Sequence, residues 1–500
     1  MKTFKFSLIT RLIAFCAILT LAASCKKDNT NYPSGPDVNF FVLTQDQKLM
    51  LLNAASGANG QQITISGLQS GETLMGIDFR PATGQLYGLG STSRIYVIDF
   101  VSGAARAIGA GPFTPAISGT AVGFDFNPTV DRIRVVTSSG QNLRIHPETG
   151  AVAFVDGNIA ATSKVTSVAY SDNKAGAATT TLFDIDITNN KLYKQDPPND
   201  GTLAEVGNLD VDAEETGGFD ITPDGSVALA ALTVGGKSGI YQVDLKTGKA
   251  TSTRTLDIQV VGLAIPTDPV AYVVGATNEF IIYNPNSGTT VSKSFTGLQA
   301  GENVLGIDFR PANGQLYILG STSRIYTVNA SSGAAAAVGT VPFATPLSGT
   351  SFGFDFNPTV DRIRIVSNTG QNLRVHPETG VVAFVDGALK PGTPAITSAA
   401  YTNNFAGATT TTLFDIDSET NMLYKQDPPN DGTLTSVGML NVDITAANGF
   451  DIGGTSNAGY AILSTASGTK FYRINLTTGA ATAGADFSAN IKGFTLGLGF

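Results

Sequence analysis

Aspartates recur at one fixed place in a short repeated motif, and they are the residues of this chain best suited to chemistry. The motif is a small residue, an apolar residue, aspartate and another apolar residue, as in Gly76-Ile77-Asp78-Phe79. Six acids occupy this place: Asp78, Asp125, Asp220, Asp308, Asp355 and Asp451. Carboxylate oxygens are the ligands that calcium prefers. Three acids in each half therefore predict a calcium site, provided that the fold brings them together.

A structural role is the alternative for these six acids. A buried carboxylate needs hydrogen-bond partners, and arginines stand at alternate positions of the neighbouring segments. The arginines are Arg132, Arg134 and Arg144, repeated as Arg362, Arg364 and Arg374. This pattern favours a buried Asp–Arg network over a metal site.

A second set of acids lies further along each half. Its members are Asp184, Asp186, Asp196 and Asp200, repeated as Asp415, Asp417, Asp427 and Asp431. An Asp-x-Asp pair followed by more oxygen ligands is similar to calcium loops. The spacing of an EF-hand is not met, because its glycine and its terminal glutamate are missing. We therefore expect a solvated strand edge followed by an ordinary turn.

One surface loop, KQDPPNDG, occurs at residues 194–201 and again, unchanged, at residues 425–432. Loops usually diverge faster than the elements that they join. Strict backbone requirements of its Pro, Asn and Gly residues are the favoured explanation, and a duplicated binding face is the alternative. The candidate binding residues are Lys194, Gln195, Asp196, Asn199, Asp200, Lys425, Gln426, Asp427, Asn430 and Asp431.

The two histidines, His146 and His376, occupy a turn position that Asp99 and Asp244 fill elsewhere, so we expect them to cap turns. Two histidines without a supply of cysteines do not make a zinc set. A non-enzymatic binding or scaffold protein is therefore the favoured interpretation. The alternative is a metal-dependent hydrolase or lyase that uses the six repeated aspartates.

The elements that carry these residues form a repeat within a repeat. Asp78 and Asp308 are 230 positions apart, as are His146 and His376. Within each half, the motif returns every 44–51 residues, ten times in all. Alternating apolar and polar residues between Gly and Asn turns indicate short strands joined as hairpins. Four such strands per unit are typical of the blade of a β-propeller.

The fold class predicted is all-β, with two tandem five-bladed propellers at residues 38–265 and 270–500. Residues 38–66 supply three strands without an inner strand, which Val260–Ile265 would complete. Ile491–Leu498 would close the second half in the same way. The alternative is a single ten-bladed ring, because Gly262–Val274 keeps the ordinary spacing within a blade.

The first 24 residues predict a signal peptide. A positive segment with Lys2, Lys5 and Arg11 precedes a short apolar run at Leu12–Ala23. Residues 25–37 are polar and rich in Pro and Gly, as expected of a flexible tether. We therefore predict an exported protein.

The end of this leader, Leu21-Ala22-Ala23-Ser24-Cys25, resembles the lipobox of bacterial lipoproteins. The large aliphatic residue stands one place early, at Leu21. The resemblance implies cleavage before Cys25, lipidation of Cys25 and an outer-membrane lipoprotein facing the periplasm or the cell surface. An ordinary signal peptide followed by an incidental cysteine is the alternative. Cys16 would be lost with the leader, so no disulfide is expected.

The charge of the chain limits its partners. The formal net charge is −9, and the predicted leader holds three cations and no acids, so the mature chain is near −12. A negative chain without a basic stripe does not favour nucleic acid. The partners predicted are the membrane, through the lipid anchor, and an unidentified extracellular ligand or protein.

Three motifs carry a resemblance to a known family: G-[IF]-D-F-x-P, GQNLR-x-HPETG and KQDPPNDG. The chain resembles an exported bacterial family known as domain of unknown function 4394, present as two tandem copies at roughly residues 38–265 and 270–499. The family has no assigned activity, so the resemblance implies no catalytic residues. It implies that each copy closes as a propeller by itself.

Overall fold

The computed structural model describes residues 35–56, 59–445 and 448–500. Within these residues the regular elements are forty strands and one short 3-10 helix, Pro429–Asp431. The strands form ten antiparallel sheets of four strands each, which confirms the predicted all-β class. The predicted signal peptide, the lipidation site Cys25 and most of the tether lie outside the described residues.

Blades 1–5 form the first propeller, and the strands of each blade follow in order from the axis outward. Blade 1 contains β20 (Val260–Ala264), β1 (Asn39–Thr44), β2 (Lys48–Asn53) and β3 (Asn59–Thr64). Blade 2 contains β4 (Leu74–Phe79), β5 (Leu86–Gly90), β6 (Arg94–Ile98) and β7 (Ala105–Ile108). Blade 3 contains β8 (Val122–Asn127), β9 (Arg132–Thr137), β10 (Asn142–Ile145) and β11 (Val152–Val155). Blade 4 contains β12 (Val165–Tyr170), β13 (Leu182–Asp186), β14 (Lys191–Gln195) and β15 (Leu203–Asn208). Blade 5 contains β16 (Glu215–Ile221), β17 (Ala228–Val234), β18 (Lys237–Val243) and β19 (Ala250–Thr255).

Blades 6–10 form the second propeller in the same order. Blade 6 contains β40 (Ile491–Leu496), β21 (Ala271–Gly275), β22 (Glu279–Tyr283) and β23 (Thr290–Ser294). Blade 7 contains β24 (Val304–Arg310), β25 (Gln315–Gly320), β26 (Arg324–Val328) and β27 (Ala335–Val338). Blade 8 contains β28 (Phe352–Asn357), β29 (Arg362–Ser367), β30 (Asn372–Val375) and β31 (Val382–Val385). Blade 9 contains β32 (Ile396–Tyr401), β33 (Leu413–Asp417), β34 (Met422–Gln426) and β35 (Leu434–Met439). Blade 10 contains β36 (Asn448–Ile452), β37 (Gly459–Thr465), β38 (Gly468–Ile474) and β39 (Ala481–Phe487).

Each propeller is closed by a strand from the end of its own half. Strand β20 pairs with β1, with Leu263 opposite Val42, and β40 pairs with β21, with Phe494 opposite Val273. Two five-bladed rings are therefore formed, and the alternative of one ten-bladed ring is wrong. The continuous spacing across the junction between the halves was misleading, because β1 takes the edge of β20 that β21 would need.

Apolar side chains fill the spaces between neighbouring blades. The described residues form ten buried apolar clusters, one for each adjacent pair of blades. Blade 5 packs on blade 1 through Leu229 and Phe40, and blade 10 packs on blade 6 through Phe471 and Ala271. Both rings are thus closed by packing as well as by strand pairing. Burial of apolar area is the main source of their stability.

The two propellers contact each other through polar groups of blades 2, 3, 6 and 7. The hydroxyl of Tyr272 donates to the carbonyl of Ala82 at 2.9 Å. The guanidinium of Arg80 donates to the carbonyl of Gly314 at 3.0 Å. Apolar residues of both halves, Ala82 and Leu498 among them, share one buried cluster. The interface therefore covers the side of the first propeller on which Arg80 lies.

Candidate functional site

The six repeated aspartates converge in two groups at the ring axes. Asp78, Asp125 and Asp220 form the first triad, in which one carboxylate oxygen of each residue lies within 4.8 Å of the others. Asp308, Asp355 and Asp451 form the second triad with the same spacing. All six side chains are about 1% exposed. The predicted convergence of three acids in each half is therefore confirmed, while metal binding stays a prediction.

Backbone amides satisfy most oxygens of the first triad. The five donors stand at equivalent positions, immediately after the aspartate place of each inner strand. The pairs are Phe79 to Asp78 Oδ1 (2.7 Å), Phe126 to Asp78 Oδ2 (2.8 Å), Tyr170 to Asp125 Oδ1 (3.0 Å), Ile221 to Asp220 Oδ1 (2.6 Å) and Ile265 to Asp220 Oδ2 (2.6 Å). Five of the six oxygens thus accept a backbone hydrogen bond. The sixth, Asp125 Oδ2, is buried without a partner.

Three of these bonds join one blade to the next. Phe126, Tyr170 and Ile265 each donate to an aspartate of the preceding blade. Blades 4 and 1 carry Ala169 and Ala264 at the aspartate place, so the amides that follow them in the ring use the aspartate of their own strand. The acids therefore link the inner strands of neighbouring blades by hydrogen bonds close to the ring axis.

The second triad repeats this arrangement with one addition. Asp308, Asp355 and Asp451 accept from the amides of Phe356, Tyr401 and Leu496 at 2.7–3.0 Å. Thr495 stands where the first ring has Ala264. Its hydroxyl lies 2.9 Å from Asp308 Oδ1 and 3.0 Å from Asp451 Oδ2. A hydroxyl group between two carboxylates therefore distinguishes the second axis from the first.

Burial raises the pKa of every carboxyl group in the triads. It raises the pKa of Asp220 to about 7 and that of Asp451 to about 6. Burial, followed by repulsion from the neighbouring aspartates, holds the pKa values of Asp125 and Asp355 well above their usual range. The neutral, protonated form of these two groups is therefore favoured unless a positive charge enters the triad.

Glycines and a serine border each triad on one side. In the first ring, Gly76, Gly123 and Ser167 are among the residues that line a small axial cavity. A Cβ atom at Gly123 would lie 2.7 Å from the backbone nitrogen of Val168, so glycine is needed for neighbouring inner strands to approach this closely. The hydroxyl oxygen of Ser167 is buried and has no hydrogen-bond partner.

The predicted Asp–Arg network does not form at the triads. Arg134 instead bonds Asp156 at 2.7 Å and Asn142 at 2.6 Å, and its second ring counterpart Arg364 makes the equivalent bonds. Arg144 forms a second ion pair with Asp156, at 2.7 Å. Arg132 turns back to the carbonyl of the residue before it, at 2.7 Å. The prediction was wrong because the triads take their donors from the backbone, which a pattern of side chains does not reveal.

The repeated loop is fastened to the blade before it. Asn199 accepts from Arg134 at 2.9 Å, and the carbonyl of Pro198 accepts from Asn142 at 3.0 Å. Gln195 is 2% exposed and donates to the same carbonyl. The loop at residues 425–432 is held by the same bonds from Arg364 and Asn372. These contacts support strict structural requirements for Gln195 and Asn199, and for Gln426 and Asn430.

Other side chains of the repeated loop face solvent. Lys194, Asp196 and Asp200 are exposed, as are Asp427 and Asp431 in the second copy, where Lys425 is half-buried. Close to the first copy, Phe154 and Val155 of β11 are 55% and 60% exposed. We name the exposed residues of segments 154–157 and 194–201, with their counterparts at 384–387 and 425–432, the loop face.

An arginine stacks on the exposed phenylalanine in each copy of the loop face. The guanidinium carbon of Arg144 lies 4.1 Å from the centre of the Phe154 ring. The distance between Arg374 and the ring of Phe384 is 4.0 Å. Phe384 is 53% exposed. The loop face thus presents a held aromatic ring beside exposed carboxylates, twice in one chain.

The second set of acids contradicts the predicted solvated edge. Asp184 and Asp415 are fully buried, and neither carboxylate has a hydrogen-bond partner. Burial raises the pKa of Asp415 to about 8 and that of Asp184 well above its usual value. The prediction failed because both faces of a blade pack on neighbouring blades, so alternation along β13 leaves no solvent face.

The turn that follows was predicted correctly. Asp186 Oδ1 accepts from the amides of Thr188 at 2.8 Å and Asn189 at 3.3 Å. The histidines also lie in turns. The amide of Gly150 donates to the carbonyl of His146, and His376 Nδ1 accepts from the amide of Glu378 at 3.2 Å.

One ionic cluster was missed from the sequence. Arg80 donates to Asp131 at 2.5–2.8 Å and also to Glu148. Arg310, Asp361 and Glu378 meet in the same way in the second propeller. One cation and two acids repeated at the 230-residue period are the signal that could have identified both clusters.

Among the described residues, the two triads are the places where three potential metal ligands gather. The fold and these sites define an all-β repeat protein made of two propellers with buried acidic axes. The chain belongs to the family described as Domain of unknown function (DUF4394), whose model matches residues 48–264 and 279–495. The expected tandem membership is thereby confirmed.

Two solved structures are similar to the chain over most of its length. PorZ, described as an essential bacterial surface component of the type-IX secretion system of Porphyromonas gingivalis, aligns at 12% identity and a TM-score of 0.27. The alignment covers 91% of this chain and 60% of the PorZ chain, so this chain spans less than two thirds of the length of PorZ. Dihydro-heme d1 dehydrogenase NirN, in complex with DHE, aligns at 11% identity and a TM-score of 0.24, over 80% of this chain and 72% of NirN.

No curated protein sequence matches the chain significantly. In the part of the chain that the structure describes, no helix combines the length and apolar character needed to cross a bilayer.

Proposed function

We propose that this protein is a lipid-anchored component of the cell envelope that binds an extracellular ligand, a glycan or a protein, through its loop face. The observation that carries the proposal is the identity of the exposed loop residues in both halves. Gln195 and Asn199 are accounted for by their contacts with the neighbouring blade. Asp196 and Asp200 are exposed, and the packing of the blade does not require them to be aspartates.

The geometry of the loop face is suited to recognition. Phe154 offers an apolar ring whose position is fixed by Arg144, and aromatic rings of this kind contribute large contact areas to binding sites. Asp196 and Asp200 offer acceptors to hydroxyl or amide groups of a ligand. Two copies in one chain let a multivalent ligand bind twice, so its overall affinity exceeds that of either copy.

An enzymatic role has less support. A metal-dependent hydrolase or lyase would need its substrate to reach the triad carboxylates, and these side chains are about 1% exposed. Each triad is also bonded to the backbone of neighbouring blades. We therefore propose a structural role for the triads and a ligand-binding role for the loop face.

The binding proposal is tested by comparing two charge-altered variants of the purified protein on a glycan array and against envelope protein fractions. The first variant combines Asp196→Asn, Asp200→Asn, Asp427→Asn and Asp431→Asn. The control carries Asp210→Asn and Asp257→Asn, in loops at the opposite end of the blades. We expect the first variant to lose binding and the control to keep it. A loop-face variant that binds every ligand as well as the unaltered protein would refute the proposal.

Anchoring is tested separately, because it depends on Cys25 and not on the loop face. We expect the protein to partition into detergent with a diacylglycerol-modified Cys25 detectable by mass spectrometry. Cys25→Ala is expected to release it to the aqueous phase. A mature protein without an acyl chain would exclude lipid anchoring and leave the binding proposal standing.

A further inference from the structure

The first triad has the dimensions of a cation site. One oxygen each from Asp78, Asp125 and Asp220 lies within 4.8 Å of the other two. Calcium holds its oxygen ligands at about 2.3–2.6 Å, so ligands on opposite sides of the ion are about 4.6–5.2 Å apart. Oxygens gathered this closely can therefore belong to one coordination shell.

The first triad also lacks a full counter-charge. The charged groups that act on Asp125 are the other two aspartates of the triad, Asp78 and Asp220. The five amide donors carry partial positive charge and leave a net negative charge on three ionised carboxylates. Burying such a charge without compensation is costly. A bound cation would supply the compensation.

Three buried oxygens at this axis have no hydrogen-bond partner. They are Asp125 Oδ2, the hydroxyl of Ser167, which lines the axial cavity, and Asn173 Oδ1. The amide nitrogen of Asn173 lies 3.5 Å from Asp220 Oδ1, so this side chain reaches the triad. Unsatisfied buried oxygens are uncommon in folded proteins and require an explanation.

We propose that the first triad binds one calcium ion, with Asp78, Asp125 and Asp220 as ligands, and that the second triad does not. The ion would fasten the inner strands of blades 2, 3 and 5 at the axis. Ser398 Oγ and Asn404 Oδ1, the equivalents of Ser167 Oγ and Asn173 Oδ1, are also buried without a partner, so the unpartnered Asp125 Oδ2 is what distinguishes the first ring.

The second triad has a hydroxyl group that the first triad lacks, because Thr495 stands where the first ring has Ala264. The Thr495 hydroxyl contacts Asp308 and Asp451 at hydrogen-bond distance. A hydroxyl has one proton, so Thr495 donates to one of these two carboxylates at a time. The Thr495 hydroxyl thus occupies a position between Asp308 and Asp451 that a cation ligated by both residues would need. Among the described residues, Asp125 Oδ2 is the triad oxygen left buried and unpartnered.

The experiment measures calcium in the purified full chain by elemental analysis, after chelator treatment and dialysis against calcium. We expect one equivalent of calcium per chain and a rise in Tm of several degrees, because a ligand that binds the folded state stabilises it. Asp125→Asn is expected to abolish both effects. The matched variant Asp355→Asn is expected to keep both, since it alters the second triad.

A second variant separates loss of calcium binding from loss of folding. Ala264→Thr introduces into the first ring the hydroxyl found in the second, and we expect it to fold and to lose calcium.

Four outcomes would overturn the proposal. They are no calcium and no Tm shift in the unaltered protein, two equivalents per chain, the same loss in Asp125→Asn and Asp355→Asn, or equal Tm shifts with magnesium and calcium.

Discussion

The same three residues meet in both propellers, and their surroundings differ. In the first, Arg80 is 1% exposed and its partners Asp131 and Glu148 are 2% and 9% exposed. In the second, Arg310 is 11% exposed, and its partners are 35% and 65% exposed. The interface between the propellers covers the first cluster, where the Gly314 carbonyl also accepts from Arg80. One repeated motif therefore forms a buried ionic cluster in the first propeller and a cluster with solvent-accessible acids in the second.

This comparison shows that the same residues, repeated in the sequence, can contribute different amounts to the stability of the two propellers. Removing one partner of a buried ion pair leaves an uncompensated charge in a medium of low polarity. Removing one partner of an exposed pair leaves a charge that water solvates. Substitutions are therefore expected to have their largest effects where the two propellers differ in burial.

Replacing Arg80 with alanine is expected to cost about 3–5 kcal/mol of unfolding free energy, because Asp131 and Glu148 stay buried without their cation. Arg310→Ala is expected to cost about 1 kcal/mol or less. Urea titrations followed by circular dichroism measure both losses. Equal losses would show that the interface does not strengthen the first cluster.

The buried acids Asp184 and Asp415 predict a dependence of stability on pH that has the same sign in both halves. Burial raises the pKa of Asp415 to about 8, against an ordinary value of 3.8. The unfolded chain then binds fewer protons than the native state, so stability is greatest below pH 4 and falls as the pH rises towards 8. Between pH 5 and pH 7 Asp415 removes up to about 3 kcal/mol, and Asp184 acts in the same direction.

Asp184→Asn and Asp415→Asn are therefore each expected to flatten the stability profile between pH 5 and pH 7. Urea titrations at several pH values measure the slope. An unchanged slope in both variants would mean that these groups ionise in the folded protein.

Asn199→Ala and Asn430→Ala are expected to cost about 2 kcal/mol each, because each amide oxygen accepts from a buried arginine. Both bonds lie inside a propeller and away from the interface, so equal losses are expected, in contrast to Arg80 and Arg310. Losses that differ by more than 1 kcal/mol, a threshold on the order of one hydrogen bond, would contradict this.

Thr495→Val is expected to have a small effect on the free energy of unfolding, about 1 kcal/mol. The substitution removes the hydroxyl between Asp308 and Asp451 and keeps the volume of the side chain. Denaturant unfolding measures it, with Asn430→Ala as the reference in the same propeller. A loss larger than that of the reference would mean that the hydroxyl is central to the second axis.

The two rings could be predicted from the sequence because each half contains an unmatched inner strand and an unmatched set of three outer strands. The convergence of the triads followed from placing Asp78 and its repeats on inner strands. The hydrogen-bond donors to the triads could not be predicted, because they are backbone amides, which nearly every residue has whatever its side chain. Asp184 was misplaced because both faces of its blade are buried.

The ionic cluster around Arg80 was missed for a different reason. Its partners are 51 and 68 residues away in sequence. The contact therefore depends on the relative orientation of neighbouring blades. Which cluster would be buried depended on the docking of the two propellers. The sequence of one half contains no information about that docking.

Ring closure also determines the order in which the protein can mature. The first ring has all its strands once residue 264 has left the ribosome, while nearly half of the polypeptide is still to be synthesised. The second ring must wait for residues 491–496. A product truncated before these residues would expose the unpaired edge of β21, and such an edge is a template for aggregation.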